Sequence, residues 1–176
     1  MSEKCVHLCV TEEHLRPANL WAVRWITEDD SDIFIEPFRK DQDHGWTLEE
    51  FRTFEKEGYL YCGIFADGRL CSVSGVWKRA SDIWEVIAVG TREEYRSRGM
   101  AKSVVAFAAE HILQHVQAAS YTSRKSNIAS IRTAQSSGFR YCTNIVNNDK
   151  WCENNPRPFA GDVTCPLVIP HKVNVT

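Results

Sequence analysis

The chain has 176 residues, 43% of them hydrophobic and 25% charged, which suits one globular domain around a single core. Its 21 basic and 23 acidic side chains leave a formal charge of −2, so no overall field favours nucleic acid or an anionic membrane. No run of about 18 apolar residues marks a membrane span, and residues 1–10, which carry Glu3, Lys4 and His7, do not read as a signal peptide.

Cys5, Cys9, Cys62, Cys71, Cys142, Cys152 and Cys165 are odd in number and form no CxxC pair. That pattern reads as reduced thiols of a cytoplasmic protein with no metal site. Along residues 11–57, Leu15, Ala18, Ala22 and Trp25 recur at three and four, the spacing of one helix face. Thr47 and Glu50 form a capping-box pattern that opens a second helix through Phe51 and Phe54, and Gly58 stops it. Residues 59–65 read as a strand, Asp67-Gly68 as a hairpin turn, and 70–77 as the partner strand. A short loop at Ala80, Ser81 and Asp82 leads to a third strand, 83–89, which completes an antiparallel meander.

The period then changes. Ala101, Val104, Val105, Ala108, Ile112 and Val116 fall on one stripe, an amphipathic helix of about five turns. A short strand fits 119–122 and a further helix 128–137, with Gly138 at the position of a left-handed cap. A strand follows at 139–145. Asn and Pro mark 147–162 as a loop, and 163–169 reads as a last strand at an edge, because Pro166 interrupts it. This order predicts an α+β fold of the three-layer sandwich type, with helices flanking a central mixed, mostly antiparallel sheet.

Chemistry concentrates between the third strand and the long helix. Backbone N–H groups at a helix start lack internal partners, and the helix dipole there favours anions. Arg96, Arg98 and Lys102 add positive charge, while Gly99 and Ala101 let a ligand approach the backbone closely. Together they describe a cradle for a pyrophosphate. A solvated basic loop capping a core helix is the plainer reading of the same residues.

The run Arg96-x-x-Gly99-x-Ala101 resembles the Arg/Gln-x-x-Gly-x-Gly/Ala signature of the GNAT superfamily of acetyl-CoA-dependent N-acetyltransferases. Downstream, Asn127, Ser130, Gly138 and Phe139 resemble the family's Asn-x-x-Ser/Ala…Gly-Phe segment. The resemblance covers about 59–145. It implies one domain over 1–176, with 1–57 a helical segment on the substrate side and 59–145 the cofactor-binding core.

It also implies roles. The backbone of Arg96, Ser97, Arg98, Gly99, Met100, Ala101 and Lys102 would hold the pyrophosphate of acetyl-CoA. The backbone at Val89 and Thr91 would pair with the pantetheine arm beside a splay between two strands, and a strand bulge near Val89 would free a donor for the thioester carbonyl. Asn127 and Ser130 would contact the cofactor, although helix capping explains both equally well. Glu85, six residues before Thr91, stands where histone-acetyltransferase-like members carry a general base. A structural carboxylate is the alternative.

Two places leave the reading open. Ala134 stands where many members have a tyrosine that protonates the leaving thiolate. Trp21, Trp25, Phe34, Phe38, Trp46, Trp151 and Phe159, with Glu28, Asp29, Asp30, Asp32, Glu36, Asp41 and Asp43, suggest an acidic, aromatic vestibule for a cationic amine, or a solvated face over core aromatics. The implied partners are acetyl-CoA and a small-molecule or peptide amine, with a homodimer left open. The implied activity is acetyl transfer to a primary amine. A non-catalytic CoA-binding module on the same fold is the alternative.

Overall fold

The computed structural model describes residues 5–30 and 47–142. Their strands form one sheet in the order β2-β3-β4-β5-β6-β1-β7. The strands are β1 (Cys5–Val10), β2 (Arg24–Trp25), β3 (Tyr59–Ala66), β4 (Arg69–Lys78), β5 (Trp84–Thr91), β6 (Ala119–Arg124) and β7 (Arg140–Tyr141). Three α-helices accompany them among the described residues: α1 (Leu48–Lys56), α2 (Met100–Leu113) and α3 (Ile128–Ser136). The sheet is mixed and mostly antiparallel, with β5 and β6 as its parallel pair. The α+β sandwich expected from the sequence is therefore present.

The meander forms as read. β3, β4 and β5 pair antiparallel in series, and both turn residues between β3 and β4, Asp67 and Gly68, have positive φ, which gives the turn the twist a tight hairpin needs. The capping box is complete. Thr47 N–H donates to Glu50 Oε2 at 2.7 Å, and Glu50 N–H donates to Thr47 Oγ1 at 3.2 Å. α2 and α3 cover one face of the sheet, where Val104, Val105, Ala108, Ile112, Ile131 and Phe139 share a core with strands β1, β5 and β6. α1 lies on the other face, with Phe51 packed among Ile26, Tyr61, Leu70 and Val73. Gly138 ends α3 at φ +99°, and a Cβ there would collide with the His14 carbonyl, so no other residue fits.

Three expectations fail. Leu15, Ala18, Ala22 and Trp25 do not share a helix: a 3-10 turn at Glu12–His14 gives way to extended chain and then to β2. Pro17 accounts for this, because it disfavours helix at Arg16 and has no N–H to give. Arg16 N–H instead donates to Ser137 O. The apolar spacing was real, since Ala18 is buried and Leu15, Val23 and Trp25 pack on the core, but extended chain supplies it. The N-terminal part is also not purely helical. β1, absent from the sequence reading, runs between β6 and β7. Both its faces are covered from Val6 onward, so its sequence lacks the alternation that marks a half-buried strand. Finally, α2 ends at Leu113, short of Val116. The strand expected over 139–145 is seen as Arg140–Tyr141; residues 143–145, the loop 147–162 and the strand 163–169 lie outside the described residues.

Candidate active site

β5 organises the site. It pairs with β6 only through Trp84, Glu85 and Val86, opposite Ala119, Ser120 and Tyr121. β6 continues to Arg124, paired with β1, while β5 continues to Thr91, paired with β4. The two strands part after Val86, and this is the splay. On its other edge β5 carries a bulge. Gly75 faces Ile87 and Val73 faces Gly90, so Ala88 and Val89 together oppose Ser74. Ala88 has φ +52° and is exposed. Left-handed backbone costs an alanine roughly 1–2 kcal/mol, and such strain gathers at functional positions. Thr91, at the end of β5, spends its hydroxyl on Ser72 Oγ at 2.8 Å, and its carbonyl accepts from Arg96 Nε at 3.3 Å.

The basic loop follows. Ser97 and Gly99 both have positive φ, +61° and +77°, on either side of Arg98. Gly99 is the left-handed N-cap of α2, and no side chain caps the N–H groups there. Arg96, Ser97 and Arg98 are exposed, and Met100 is buried as the anchor of the first turn. Ala101 and Lys102 are half-buried beside it. The Arg98 guanidinium lies 5.4 Å from the centre of the Tyr95 ring, and its carbonyl accepts a 2.8 Å bond from Trp21 Nε1.

Across the splay, β6 leads to α3. Asn127 caps it, its Oδ1 accepting from Ser130 N–H at 3.2 Å. The Ser130 hydroxyl shares a 2.7 Å bond with the Tyr121 hydroxyl, and burial raises the Tyr121 pKa. Ala134 is fully buried in the core and, being alanine, has no hydroxyl to offer the splay.

Trp84 and Val86 belong to the core under α2, so Glu85 between them points to the opposite face. It is 5% exposed. Glu85 Oε2 accepts from Arg79 Nη1 at 3.0 Å, and Oε1 has no partner among the described residues. Trp77 stands directly opposite Glu85, stacks on Tyr59 at 5.3 Å and lies under the Arg79 guanidinium.

The sequence residues thus divide between two faces. Val89, Thr91, Arg96, Ser97, Arg98, Gly99, Met100, Ala101 and Lys102 line the far end of β5 and its loop, Asn127 and Ser130 stand on the β6 side, and Glu85 lies on the reverse face. Of the residues expected to form a vestibule, Trp21, Trp25, Glu28, Asp29 and Asp30 are described. Trp25 packs on Phe107 and His111, Trp21 sits at Arg98, Glu28 pairs with Arg52, and Asp30 with Arg24. Phe34, Phe38, Trp46, Trp151, Phe159, Asp32, Glu36, Asp41 and Asp43 lie outside the described residues. The aromatic wall beside Glu85 is Trp77 with Tyr59, which sequence reasoning missed; the stretch that binds them is read only as a strand. Among the described residues no cluster of three metal-ligating side chains occurs, and no helix is long and apolar enough to cross a membrane.

A mixed sheet whose parallel pair splays open beside a bulge, leading into a basic turn at a helix start, is the framework of an acyltransferase. The chain belongs to the acetyltransferase (GNAT) family, whose model matches residues 21–139. Among solved structures it is similar to a GNAT-family acetyltransferase from Novosphingobium aromaticivorans (22% identity over 78% of this chain and 61% of that one, TM-score 0.60). Another is a GNAT-family acetyltransferase from Colwellia psychrerythraea (13% identity, 79% and 53%, TM-score 0.64). A third is glucosamine-6-phosphate N-acetyltransferase from Arabidopsis thaliana (20% identity, 64% and 89%, TM-score 0.52). At these identities the likeness is one of fold. The chain spans less than two thirds of the first two structures' own length. No curated protein matches it.

Proposed function

We propose that the chain transfers an acetyl group from acetyl-CoA directly to a primary amine. The observation that carries this reading is the joint placement of the splay and the loop. Both lie at the end of β5, and the positive φ values of Ser97 and Gly99 support a turn whose N–H groups face an anion. The residues fit the cosubstrate. N–H groups of residues 97–102 would hold the pyrophosphate, with Arg96, Arg98 and Lys102 as countercharges, and the unpaired edge of β5 from Ile87 to Thr91 would take the pantetheine amides. When bound, acetyl-CoA supplies an acetyl group activated as a thioester.

Glu85 is the proposed general base. An amine attacks only when neutral, and a carboxylate with one oxygen fixed by Arg79 keeps the other for the proton of an incoming ammonium. The experiment is a titration with acetyl-CoA followed by a screen for free thiol across classes of primary amine. Binding together with turnover supports the reading. Binding without turnover on any amine class refutes it.

A second reading, a CoA-binding module that does not turn over, is favoured by Ala134. An alanine at this position leaves the splay without the hydroxyl that the family resemblance leads one to expect there. A rate that falls in Glu85→Gln while cofactor binding holds eliminates this reading.

A further inference from the structure

We propose that the purine nucleoside end of the CoA cosubstrate stacks on Trp21, in the cavity between residues 18–23 and α2; this rests on the cofactor reading above. The cavity measures about 410 Å³. Ala18, Asn19 and Trp21 line one side, and Ser103, Phe107 and Glu110 of α2 line the other. Three features point to a nucleoside.

The first is attachment. The indole N–H of Trp21 is spent on the Arg98 carbonyl at 2.8 Å, which ties the ring to the phosphate-binding turn. Whatever anion the turn holds has this ring as its neighbour. The second is exposure. Leu20 is 69% exposed and Trp21 37%, and they are two of the three large hydrophobic side chains left exposed among the described residues. Leu20 also lies over Gly99, its Cδ1 3.0 Å from where a Cβ on that glycine would stand. Apolar surface placed beside an anion cradle suits a ligand with a charged end and a flat aromatic end. The third is charge. Arg96, Arg98 and Lys102 mark the loop, whereas Glu110 stands at the cavity. A carboxylate there repels phosphate and accepts from an exocyclic amine, so it sets the direction in which the ligand lies. The Asn19 amide adds N–H donors for ring nitrogens and a carbonyl acceptor for the exocyclic amine.

The test compares CoA with 4′-phosphopantetheine, which lacks the nucleoside and its two phosphates, by calorimetric titration of the full chain; the losses are read between parent and variant for each ligand separately. In Trp21→Ala, affinity for CoA falls about ten-fold, the range of one base stacked on one aromatic ring. Affinity for phosphopantetheine stays within two-fold. Trp21→Phe keeps the ring and loses the bond to Arg98, so it retains most of the CoA affinity. Circular dichroism melts of both variants establish that they fold. Equal losses for both ligands in Trp21→Ala overturn the proposal, because the ring then only braces the loop. Equal losses for CoA in the Phe and Ala variants overturn it too. An unaltered chain that binds phosphopantetheine as tightly as CoA overturns the proposal and leaves the cofactor reading standing. An unaltered chain that binds neither ligand overturns both.

Discussion

Glu85 and Arg79 meet at 3.0 Å on the sheet face away from α2, two residues before β5 loses β6 as its neighbour. Their position makes a sharp kinetic prediction. Glu85→Gln keeps the shape and the contact with Arg79 but removes the proton acceptor. The turnover rate falls roughly 10²- to 10⁴-fold, the usual contribution of a general base. Acetyl-CoA affinity stays within two-fold, because the proposed cofactor residues lie at the end of β5, on the loop after it and on α3. Steady-state rates and a binding titration measured together decide this. An unchanged rate places the base on another residue.

Arg79→Ala tests the same pair from the other side. It leaves the Glu85 carboxylate, 7% exposed at its side chain, without a countercharge. Stability falls by about 1–3 kcal/mol, the cost of a partly buried charge left unpaired. Denaturant unfolding of parent and variant measures it, and a loss below a few tenths of a kcal/mol refutes the view that Arg79 holds Glu85 in place.

Gly99→Ala puts a Cβ on a residue at φ +77° and against Leu20. The strain is about 1–2 kcal/mol. The turn relieves it by leaving its conformation, so acetyl-CoA affinity drops along with stability. A variant that binds acetyl-CoA normally refutes the role assigned to this turn.

How much of this was legible in the sequence follows from what each residue's neighbours decide. The turn could be read because its chemistry is local: Gly99, the arginines around it and the start of α2 are contiguous. The hairpin at Asp67-Gly68 and the capping box at Thr47 were legible for the same reason. The Glu85 and Arg79 pair was not, because it depends on the register of β4 against β5. Trp21 was seen as an aromatic near the substrate side, and its bond to Arg98 spans 77 positions that no spacing rule connects. Residues 15–25 misled because burial at helical spacing also arises where extended chain crosses a helix.

Asp30 governs an acid limb of stability. Its carboxylate takes both Arg24 Nη groups, at 2.8 and 2.7 Å, and the Thr27 N–H at 2.9 Å. The Arg24 hydrogen bonds hold its pKa below the ordinary carboxylate value. A depressed folded pKa means that the unfolded chain takes the proton first, so the stabilisation is complete above about pH 4 and is lost as pH falls through the folded value. Asp30→Asn is therefore less stable than the parent at neutral pH, and the gap closes on acidification below about pH 4. Thermal melts across that range check it, and a gap that widens in acid refutes it.

His111 gives a second, separate window. Its ring packs against Trp25 at 4.8 Å and His115 at 4.7 Å, and its Nε2 is buried without a partner. Burial first, then the charges of His115 and Lys78, lower its pKa below the ordinary histidine value. The unfolded chain again binds the proton more readily, so stability declines as pH falls below about 6.5, toward the depressed folded value. His111→Gln removes that decline. Melting temperatures between pH 7 and pH 5 measure it, and an identical slope in parent and variant refutes it.

β1 stands first among the described strands, and both of its partners come late in the sequence. Its partners are β6, where Cys5 faces Arg124, and β7, where Leu8 faces Tyr141. Until β6 has been made, more than 100 residues after Val10, residues 5–10 carry mostly apolar side chains and two unpaired edges, the kind of segment that seeks pairing with other chains. Closing so distant a contact is also slow. The yield of soluble chain during synthesis therefore depends on what shields this strand while it waits, and a holdase chaperone that binds short apolar strands should raise that yield more than any substitution in the active site.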